Sequence, residues 1–274
     1  MSEKIVIYHG WCQDGFGAAL SAWKKFGSDC QYHAASHGDT PPETKDREVY
    51  IVDYAYKRDK MIEIKEKAKS IVVLDHHISA QKELEGLDFA TFDMTKSGAR
   101  LAWEYFHPDK DVPDLILNIE DRDLWNWKIK NSKAVTAAIE TWPYSFKVWN
   151  RWLNEGIETL LTDGLAILRY QDQMIRKIKA KPEFITMAGH KVPQVNCPIL
   201  SSELGNALCK NQPFAVIWRK KGDLITYSLR SAEDGEDVSV IAAAFGGGGH
   251  PRAAGFSVNT SVNTTILPSN KVIN

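Results

Sequence analysis

The sequence predicts an α/β protein with a parallel-sheet domain, helices on both faces of that sheet, a helical connector and a smaller C-terminal α/β domain. Strand patterns alternate with helical segments in residues 1–130, which favours right-handed βαβ crossovers and a parallel sheet. Residues 131–182 carry helical periodicity without strand patterns, and short strand patterns return in residues 183–258. Residues 259–274 are polar and are expected to form a flexible tail.

The elements of the first domain follow from hydrophobic runs and from the residues that interrupt them. Continuous runs of β-branched residues are typical of buried strands, whereas apolar residues at every third or fourth position are typical of helices. These patterns predict strands at 5–8, 31–35, 49–53 and 71–74, and helices at 15–25, 57–69, 97–106 and 113–121. Pro113 suits the first turn of the last helix, because an N–H there would have no helical partner.

The connector and the second domain are predicted in the same way. Trp142, Trp149 and Trp152 lie in amphipathic helical patterns, so we interpret them as packing residues and not as a surface for stacking bases. Beyond them, short hydrophobic runs predict strands at 184–187, 193–196, 215–219 and 225–229, with one helix at 202–210.

The composition excludes several classes of protein. The chain has 274 residues, a hydrophobic fraction of 43% and a formal net charge of −1, so it has no overall basic field for gripping long nucleic acids. Its four cysteines include no CxxC pair, which argues against a zinc module or a disulfide framework. No apolar run has the length of a signal-peptide core or a membrane span, so we expect a cytoplasmic protein with no membrane partner.

Three of the predicted strands end in acidic or imidazole side chains. His9 follows the first strand, Asp53 ends the third, and the tripeptide Asp75-His76-His77 follows the fourth. In open α/β sheets, ligands bind at the carboxyl ends of the strands. A capping aspartate or a buried histidine would explain each residue singly, but the three together favour a metal site.

Further acids lie in the first loop and at the end of a predicted helix. Asp14 precedes Gly15 in the turn before the first helix, while Asp121 and Asp123 flank Arg122. Carboxylates and imidazoles with little sulfur suit Mn²⁺ or a similar divalent ion better than structural Zn²⁺. Carboxylates shared between two ions form the two-metal arrangement that hydrolyses phosphoesters.

A run of four glycines, 246–249, precedes His250 and Arg252 in the second domain. Such a run cannot form a stable helix interior, and its N–H groups could hold a phosphate or the edge of a nucleotide. A flexible linker is the alternative, but the flanking apolar residues favour binding. Arg230 and Ser231 are candidates for a second phosphate contact. The expected substrate-binding residues are therefore Arg230, Ser231, Gly247, Gly248, Gly249, His250 and Arg252.

With these motifs in this order, the sequence resembles the DHH superfamily of phosphoesterases, which includes RecJ exonucleases, nanoRNase/pAp-phosphatase proteins and cyclic-dinucleotide phosphodiesterases. The tripeptide at 75–77 matches the superfamily's catalytic motif, and the segments 228–231 and 246–256 match its associated C-terminal domain. The resemblance extends to about residue 258. It implies a DHH catalytic domain at 1–130 and a DHH-associated substrate-binding domain with a GGGGH motif at 183–258.

The resemblance also implies a dinuclear centre that takes two Mn²⁺ ions, with Mg²⁺ as the alternative. Asp53 would be shared by both ions, with His9 completing the first site and the other ligands the second. The implied metal ligands are His9, Asp14, Asp53, His76 and Asp121.

Four further residues belong to the implied site, and two of them have open roles. His77 would face the substrate phosphate, and Asp75 would orient the imidazoles, which makes both catalytic candidates. Asp123 is the alternative ligand to Asp121. Cys12 stands where the family usually has an aspartate, so it is either a softer metal ligand or a small buried residue.

The resemblance implies a manganese-dependent phosphodiesterase or phosphohydrolase, similar to nanoRNase/pAp-phosphatase proteins. Short oligonucleotides or small phosphorylated nucleotides would bind in a cleft between the two domains and be cleaved in the manner of an oligoribonuclease, an exonuclease of short RNA. The alternatives are a cyclic-dinucleotide phosphodiesterase and a non-catalytic nucleotide-binding sensor. The preference for RNA or DNA, the polarity of cleavage and the formation of a homodimer stay open.

Overall fold

Both parts of the chain have the α/β architecture that the sequence predicts. A computed structural model describes residues 3–261, so the predicted tail from residue 262 onward lies outside the described residues. The chain divides into two units, Met1–Leu168 and Arg169–Asn274. None of the helices between residues 3 and 261 combines the length and the apolarity that a bilayer span requires.

The first unit contains a five-stranded sheet and the helices that connect and extend it. Its strands are β1 (Lys4–His9), β2 (Cys30–Ala35), β3 (Glu48–Val52), β4 (Ser70–Asp75) and β5 (Ala90–Phe92). Its helices are α1 (Gln13–Phe26), α2 (Arg58–Lys67), α3 (Ile78–Glu83), α4 (Gly98–Phe106), α5 (Asp114–Asp123), α6 (Ser132–Ile139) and α7 (Phe146–Glu155). All strands and helices predicted for this stretch are confirmed, and α3 and β5 are additional.

The sheet of the first unit is parallel throughout, in the order β2-β1-β3-β4-β5. Parallel neighbours need crossover connections, and helices supply most of them here. The strand order reverses between β1 and β3, because the chain adds β2 on one side of β1 and the later strands on the other. Such a switch point opens a crevice at the carboxyl ends of the strands, where α/β proteins bind ligands.

Alternate side chains of the strands enter two separate cores, so both faces of the sheet are covered. Ile5 and Ile7 of β1 are fully buried in one core, together with Met61 of α2. Val6, between them, is fully buried in another core, together with Leu101 of α4. Burial on both faces explains the uninterrupted apolar runs and confirms the predicted helices on both sides.

Helices α6 and α7, from the segment predicted as a connector, contribute to the core of the first unit. Trp149 and Trp152 are buried there with Phe16 and Leu115. The ring centroids of Phe16 and Trp149 lie 4.8 Å apart in an edge-to-face arrangement, which is favourable for aromatic pairs. The interpretation of Trp149 and Trp152 as packing residues is confirmed, whereas Trp142 is 39% exposed.

The second unit contains a mixed sheet, as expected for a smaller α/β domain. After α8 (Glu158–Ile178) come β6 (Glu183–Met187), β7 (His190–Asn196), α9 (Ser201–Leu208), β8 (Ala215–Lys221), β9 (Leu224–Arg230), α10 (Val238–Ala244), β10 (Gly248–His250) and β11 (Ala253–Asn259). The strand order is β10-β11-β9-β8-β7-β6. Among the described strands of this second sheet, only β7 and β8 pair in parallel. Val216 of β8 and Leu229 of β9 are fully buried in one core with Val238 of α10.

Candidate metal centre

The candidate site lies at the carboxyl edge of the parallel sheet, at the switch point between β1 and β3. His9 is the last residue of β1, Asp53 directly follows β3, and Asp75 is the last residue of β4. The registers of β3 with β1 and with β4 bring these strand ends level. The parallel fold therefore delivers the three side chains to one edge, as the sequence predicts.

Asp53 lies at the centre of the site in an unusual backbone conformation. Its φ of 55° is left-handed, and such strain in a non-glycine residue is found chiefly where a side chain must be aimed. The carboxylate is 1% exposed; its Oδ2 lies 3.5 Å from Nδ1 of His9, and its Oδ1 lies 3.2 Å from Nε2 of His76. Gly98 is required beside it, because a Cβ at position 98 would lie 2.3 Å from Cβ of Asp53.

Asp14 is held at the beginning of α4. Its Oδ2 accepts a hydrogen bond from the N–H of Gly98 at 2.7 Å, and its Oδ1 accepts one from Ala99 at 2.9 Å. These are N–H groups of the first helical turn, which have no partner inside the helix. The same Oδ2 lies 3.5 Å from Nε2 of His76, so Asp14 is oriented by the helix and faces the imidazole.

Within the first unit, six residues form two groups with the spacing of metal ligands. Within each group, the donor atoms lie within 4.8 Å of one another. Carboxylate oxygens and imidazole nitrogens in this mixture suit divalent ions such as Mn²⁺ or Mg²⁺, so the residues present fit such ions. The first group is His9, Asp53 and His77, and the second is Asp14, His76 and Asp123.

The charges of the metal-free site favour a cation. Burial raises the pKa of Asp14 well above its usual value, and the charge of Asp53 raises it further. Burial likewise raises the pKa of Asp123. Burial also acts to raise the pKa of Asp53, but His76 and His9 outweigh it and hold that pKa well below its usual value. The ionised Asp53 therefore opposes ionisation of Asp14 and Asp123, and a bound cation would relieve this repulsion.

Asp75 orients the two histidines that follow it. Its Oδ1 accepts hydrogen bonds from the backbone N–H of His76 at 2.7 Å and of His77 at 3.3 Å, and it lies 2.7 Å from Nδ1 of His77. Burial acts to lower the pKa of His77, but Asp75 outweighs it and the pKa rises to about 9. His77 is therefore protonated at neutral pH in the metal-free chain. Its ring is fixed through Nδ1.

Of the two acids around Arg122, the structure brings Asp123 into the ligand groups and not Asp121. Oδ2 of Asp123 lies 3.4 Å from Nε2 of His76. Asp121 is 4% exposed, and its carboxylate accepts hydrogen bonds from the backbone N–H of Lys128 at 2.8 Å and of Ile129 at 3.1 Å, and from the hydroxyl of Ser132. By accepting these hydrogen bonds, the Asp121 carboxylate fixes the loop before α6.

Cys12 caps α1 and also lies beside the first ligand group. Its Sγ accepts a hydrogen bond from the N–H of Gly15 at 3.1 Å, lies 3.5 Å from Nδ1 of His9 and lies 3.6 Å from Oδ2 of Asp53. Burial raises the pKa of the thiol well above its usual value, and Asp53 adds to this effect. In the metal-free chain, Cys12 is therefore a neutral thiol with a structural role, close enough to respond to a bound ion.

His37 and Tyr54, which were not predicted as site residues, also lie beside the site. The ring centroid of His37 lies 6.0 Å from that of His9 and 5.6 Å from that of Tyr54. His37 is exposed and follows β2, so it extends the row of histidines and aspartates at this edge of the sheet. The sequence offered one indication of this role, since His37 lies two residues after the end of a predicted strand.

In the second unit, three of the proposed substrate-binding side chains make internal contacts. Nη2 of Arg230 donates to the hydroxyl of Ser202 at 2.7 Å. Ser231 is 3% exposed and donates to the carbonyl of Glu236 at 2.6 Å. Nη1 of Arg252 donates to the carbonyl of Gly235 at 2.6 Å. The contacts of Ser231 and Arg252 fix the segment 231–236, and that of Arg230 joins β9 to α9, so each side chain has a structural task besides any contact with a ligand.

The glycine run forms part of an antiparallel strand pair. Gly249 pairs with Ala254, and a Cβ at position 249 would lie 2.6 Å from the carbonyl oxygen of Ala253. A Cβ at Gly247 would lie 2.1 Å from the carbonyl oxygen of Gly255. Two of the glycines are thus needed for close approach of β10 and β11, while a Cβ at Gly248 would meet open space. A phosphate cradle in this segment stays a prediction.

Comparison with known proteins identifies a relative. The chain is 34% identical over 281 aligned residues to a protein of Acanthamoeba polyphaga mimivirus that is described as uncharacterized protein R106, covering 92% of this chain and 67% of the viral protein. The chain belongs to the same family as R106. No protein-family model matches this chain.

Two solved structures resemble this member of the R106 family in fold. The chain is similar to the pGpG-specific phosphodiesterase PggH of Vibrio cholerae, with a TM-score of 0.52, 11% identity and 94% of each chain covered. It is also similar to an exopolyphosphatase-related protein from Bacteroides fragilis, with a TM-score of 0.47, 17% identity, and 93% of this chain and 86% of that chain covered. The likeness to PggH shows a shared fold.

Proposed function

We propose that this chain is a metal-dependent phosphoesterase of the DHH type that hydrolyses short oligonucleotides or small phosphorylated nucleotides. The observation that carries the proposal is the position of Asp53 between two groups of ligands. One carboxylate oxygen lies 3.5 Å from His9 of the first group, and the other lies 3.2 Å from His76 of the second. A carboxylate that faces each group with a separate oxygen is suited to bridge two cations.

The proposed ligands come from both groups. His9 and Asp53 would hold one ion, and Asp53, Asp14, His76 and Asp123 would hold the other. When bound, two divalent ions supply positive charge and Lewis acidity for the attack of water on a phosphate ester. The chain fixes Asp14 through two N–H groups of α4 and fixes Asp53 through its backbone conformation, so both carboxylates are oriented in advance.

His77 is proposed to contact the phosphate. Its Nδ1 is engaged by Asp75 at 2.7 Å, and its pKa of about 9 keeps the ring protonated in the metal-free chain. Because Nδ1 is engaged by Asp75, Nε2 is the ring nitrogen that remains for a contact with the substrate. The remaining Nε2–H would therefore donate to a phosphate oxygen, and Asp75 would act as a positioning residue.

Short substrates are supported by charge and by the fold. A net charge of −1 gives little electrostatic attraction for a long nucleic acid. PggH, which shares the fold, is a phosphodiesterase specific for the dinucleotide pGpG. In the second unit, His250 and the N–H groups of 247–249 stay the proposed contacts for a substrate phosphate.

Metal-dependent turnover tests the proposal. The full chain should hydrolyse a 5′-phosphorylated dinucleotide and bis-p-nitrophenyl phosphate when Mn²⁺ is added, and EDTA should abolish both activities. Re-added Mn²⁺ should restore more activity than Ca²⁺, which prefers larger all-oxygen shells. Full turnover in excess EDTA after exhaustive dialysis would contradict the two-metal proposal. Nucleotide binding without turnover would instead identify a sensor, and preferred hydrolysis of cyclic dinucleotides would change the substrate class.

Two neighbouring acids provide a matched pair of variants. Asp123→Asn should weaken Mn²⁺ binding and turnover while leaving the melting temperature unchanged or higher, because desolvation disfavours the ionised form of this carboxyl and raises its pKa. Asp121→Asn should keep the metal but lose stability, since the new amide N–H would meet donors that the carboxylate now satisfies, at a cost of about 1–3 kcal/mol. Thermal unfolding and metal analysis of both variants check this. Loss of metal from Asp121→Asn alone would show that Asp121 is the ligand.

A further inference from the structure

Trp11 lies in the loop between β1 and α1, two residues from His9, and its side chain is 83% exposed. Among residues 3–261, the indole makes no hydrogen bond and no aromatic ring contact. Packing therefore does not explain why the chain has a tryptophan at this position. A single exposed apolar side chain is ordinary on a protein surface, so exposure alone does not mark Trp11 as functional.

The backbone at Trp11 makes its presence more unusual. Its φ of 64° is left-handed, a conformation that glycine and asparagine adopt readily and that is strained for a bulky residue. Local preference alone would therefore select a small residue. Strain of this kind is found where the side chain has a task, so the strain and the exposure point to a binding role for the indole.

The loop holds Trp11 rigidly beside the ligand groups. On one side, the N–H of Gly10 donates to the carbonyl of Ala35 at 2.8 Å; on the other, Cys12 accepts the N–H of Gly15. The α-carbon of Trp11 is one residue step, about 3.8 Å, from that of Cys12. Because Sγ of Cys12 lies 3.5 Å from Nδ1 of His9, the backbone of Trp11 lies close to the first ligand group.

We propose that Trp11 is a stacking platform for the nucleobase next to the phosphate that is bound at the metal centre. The inference rests on the proposed function and names the part of the substrate that Trp11 binds. In a nucleotide, the flat group nearest to a phosphate is the base, one sugar away. Every base has a π-face, so stacking on Trp11 would give affinity with little preference among bases.

The test compares two substrates in two variants. A 5′-phosphorylated diadenylate and its analogue with both bases replaced by hydrogen differ only in the bases. Loss of one stacked base weakens binding roughly five- to a hundredfold, so Trp11→Ala should raise KM for the diadenylate by that factor. KM for the abasic analogue should stay the same, and Trp11→Phe should restore most of the loss for the diadenylate. Tyr105→Ala is the matched control, since Tyr105 is 46% exposed near the end of α4 and should affect neither substrate.

The outcomes separate this inference from the proposed function. If Trp11→Ala raises KM equally for both substrates, or for neither, the stacking platform is wrong even though the enzyme is a phosphoesterase. If the wild-type chain hydrolyses neither substrate, the proposed function fails, and equilibrium dialysis with adenosine monophosphate then tests Trp11 alone. Equal binding of adenosine monophosphate by the wild type and by Trp11→Ala would overturn the inference.

Discussion

Asp53→Ala is expected to remove the bound metal and essentially all phosphoesterase turnover. Asp53 contacts His9 of one ligand group through Oδ2 and His76 of the other through Oδ1, so its loss affects both proposed ion sites together. Loss of any other proposed ligand should impair mainly one site. Metal content measured by mass spectrometry and turnover of a dinucleotide with Mn²⁺ should fall together in this variant.

The fold should survive this substitution. The Cβ of Asp53 remains in alanine, so the close packing against Gly98 is kept. The contacts of the carboxylate with His9 and His76 are lost, but its repulsion with Asp14 is lost as well. Asp59→Ala is the control, because Asp59 is an exposed aspartate at the start of α2 and should change neither metal content nor rate. If Asp53→Ala keeps one full equivalent of metal and measurable turnover, Asp53 does not bridge two ions.

The location of the site could be predicted because it depends on strand ends alone. His9, Asp53 and Asp75 follow apolar runs, and in a parallel sheet consecutive carboxyl ends must meet at one edge. The register of the sheet then makes little difference to which residues are neighbours. The strand order, with its reversal between β1 and β3, could not be predicted in this way, because the order depends on how the helices pack after the strands form.

Only the structure shows that Asp123, and not Asp121, lies beside His76. Both acids end α5, two residues apart, and so point to different sides of the helix. Which side faces His76 depends on the loop before α6, whose N–H groups at Lys128 and Ile129 bind Asp121. Nothing in the local sequence around Asp121 indicates that contact.

The strand formed by the glycine run could not be predicted from the sequence, for a different reason. Glycine-rich sequence carries no hydrophobic alternation, so β10 has no strand pattern to detect. The pairing of Gly249 with Ala254 is set by steric access across the strand pair and not by side chains. For the same reason, Ser231 and Arg252 resemble exposed phosphate ligands in the sequence, whereas the structure shows them bonded to the loop at 231–236.

His77→Ala is expected to keep the metal and to lose about 10²–10³ in kcat, the usual cost of removing one preorganised donor to a developing charge. Asp75 holds Nδ1 of His77 at 2.7 Å, so the ring is oriented before the substrate arrives. His76→Ala should differ in kind, because His76 contacts Asp14, Asp53 and Asp123 and is proposed as a ligand. Its loss should therefore empty the second site.

Metal analysis of the two histidine variants is the deciding measurement, because His77 also belongs to a group with ligand spacing. If His77 donates to phosphate, raising the Mn²⁺ concentration should leave the rate of His77→Ala unchanged, since its metal sites are already filled. If His77 is a ligand, excess Mn²⁺ should recover part of the rate as the weakened site fills. A metal-free His77→Ala beside a fully loaded His76→Ala would show that the two histidines have the opposite roles.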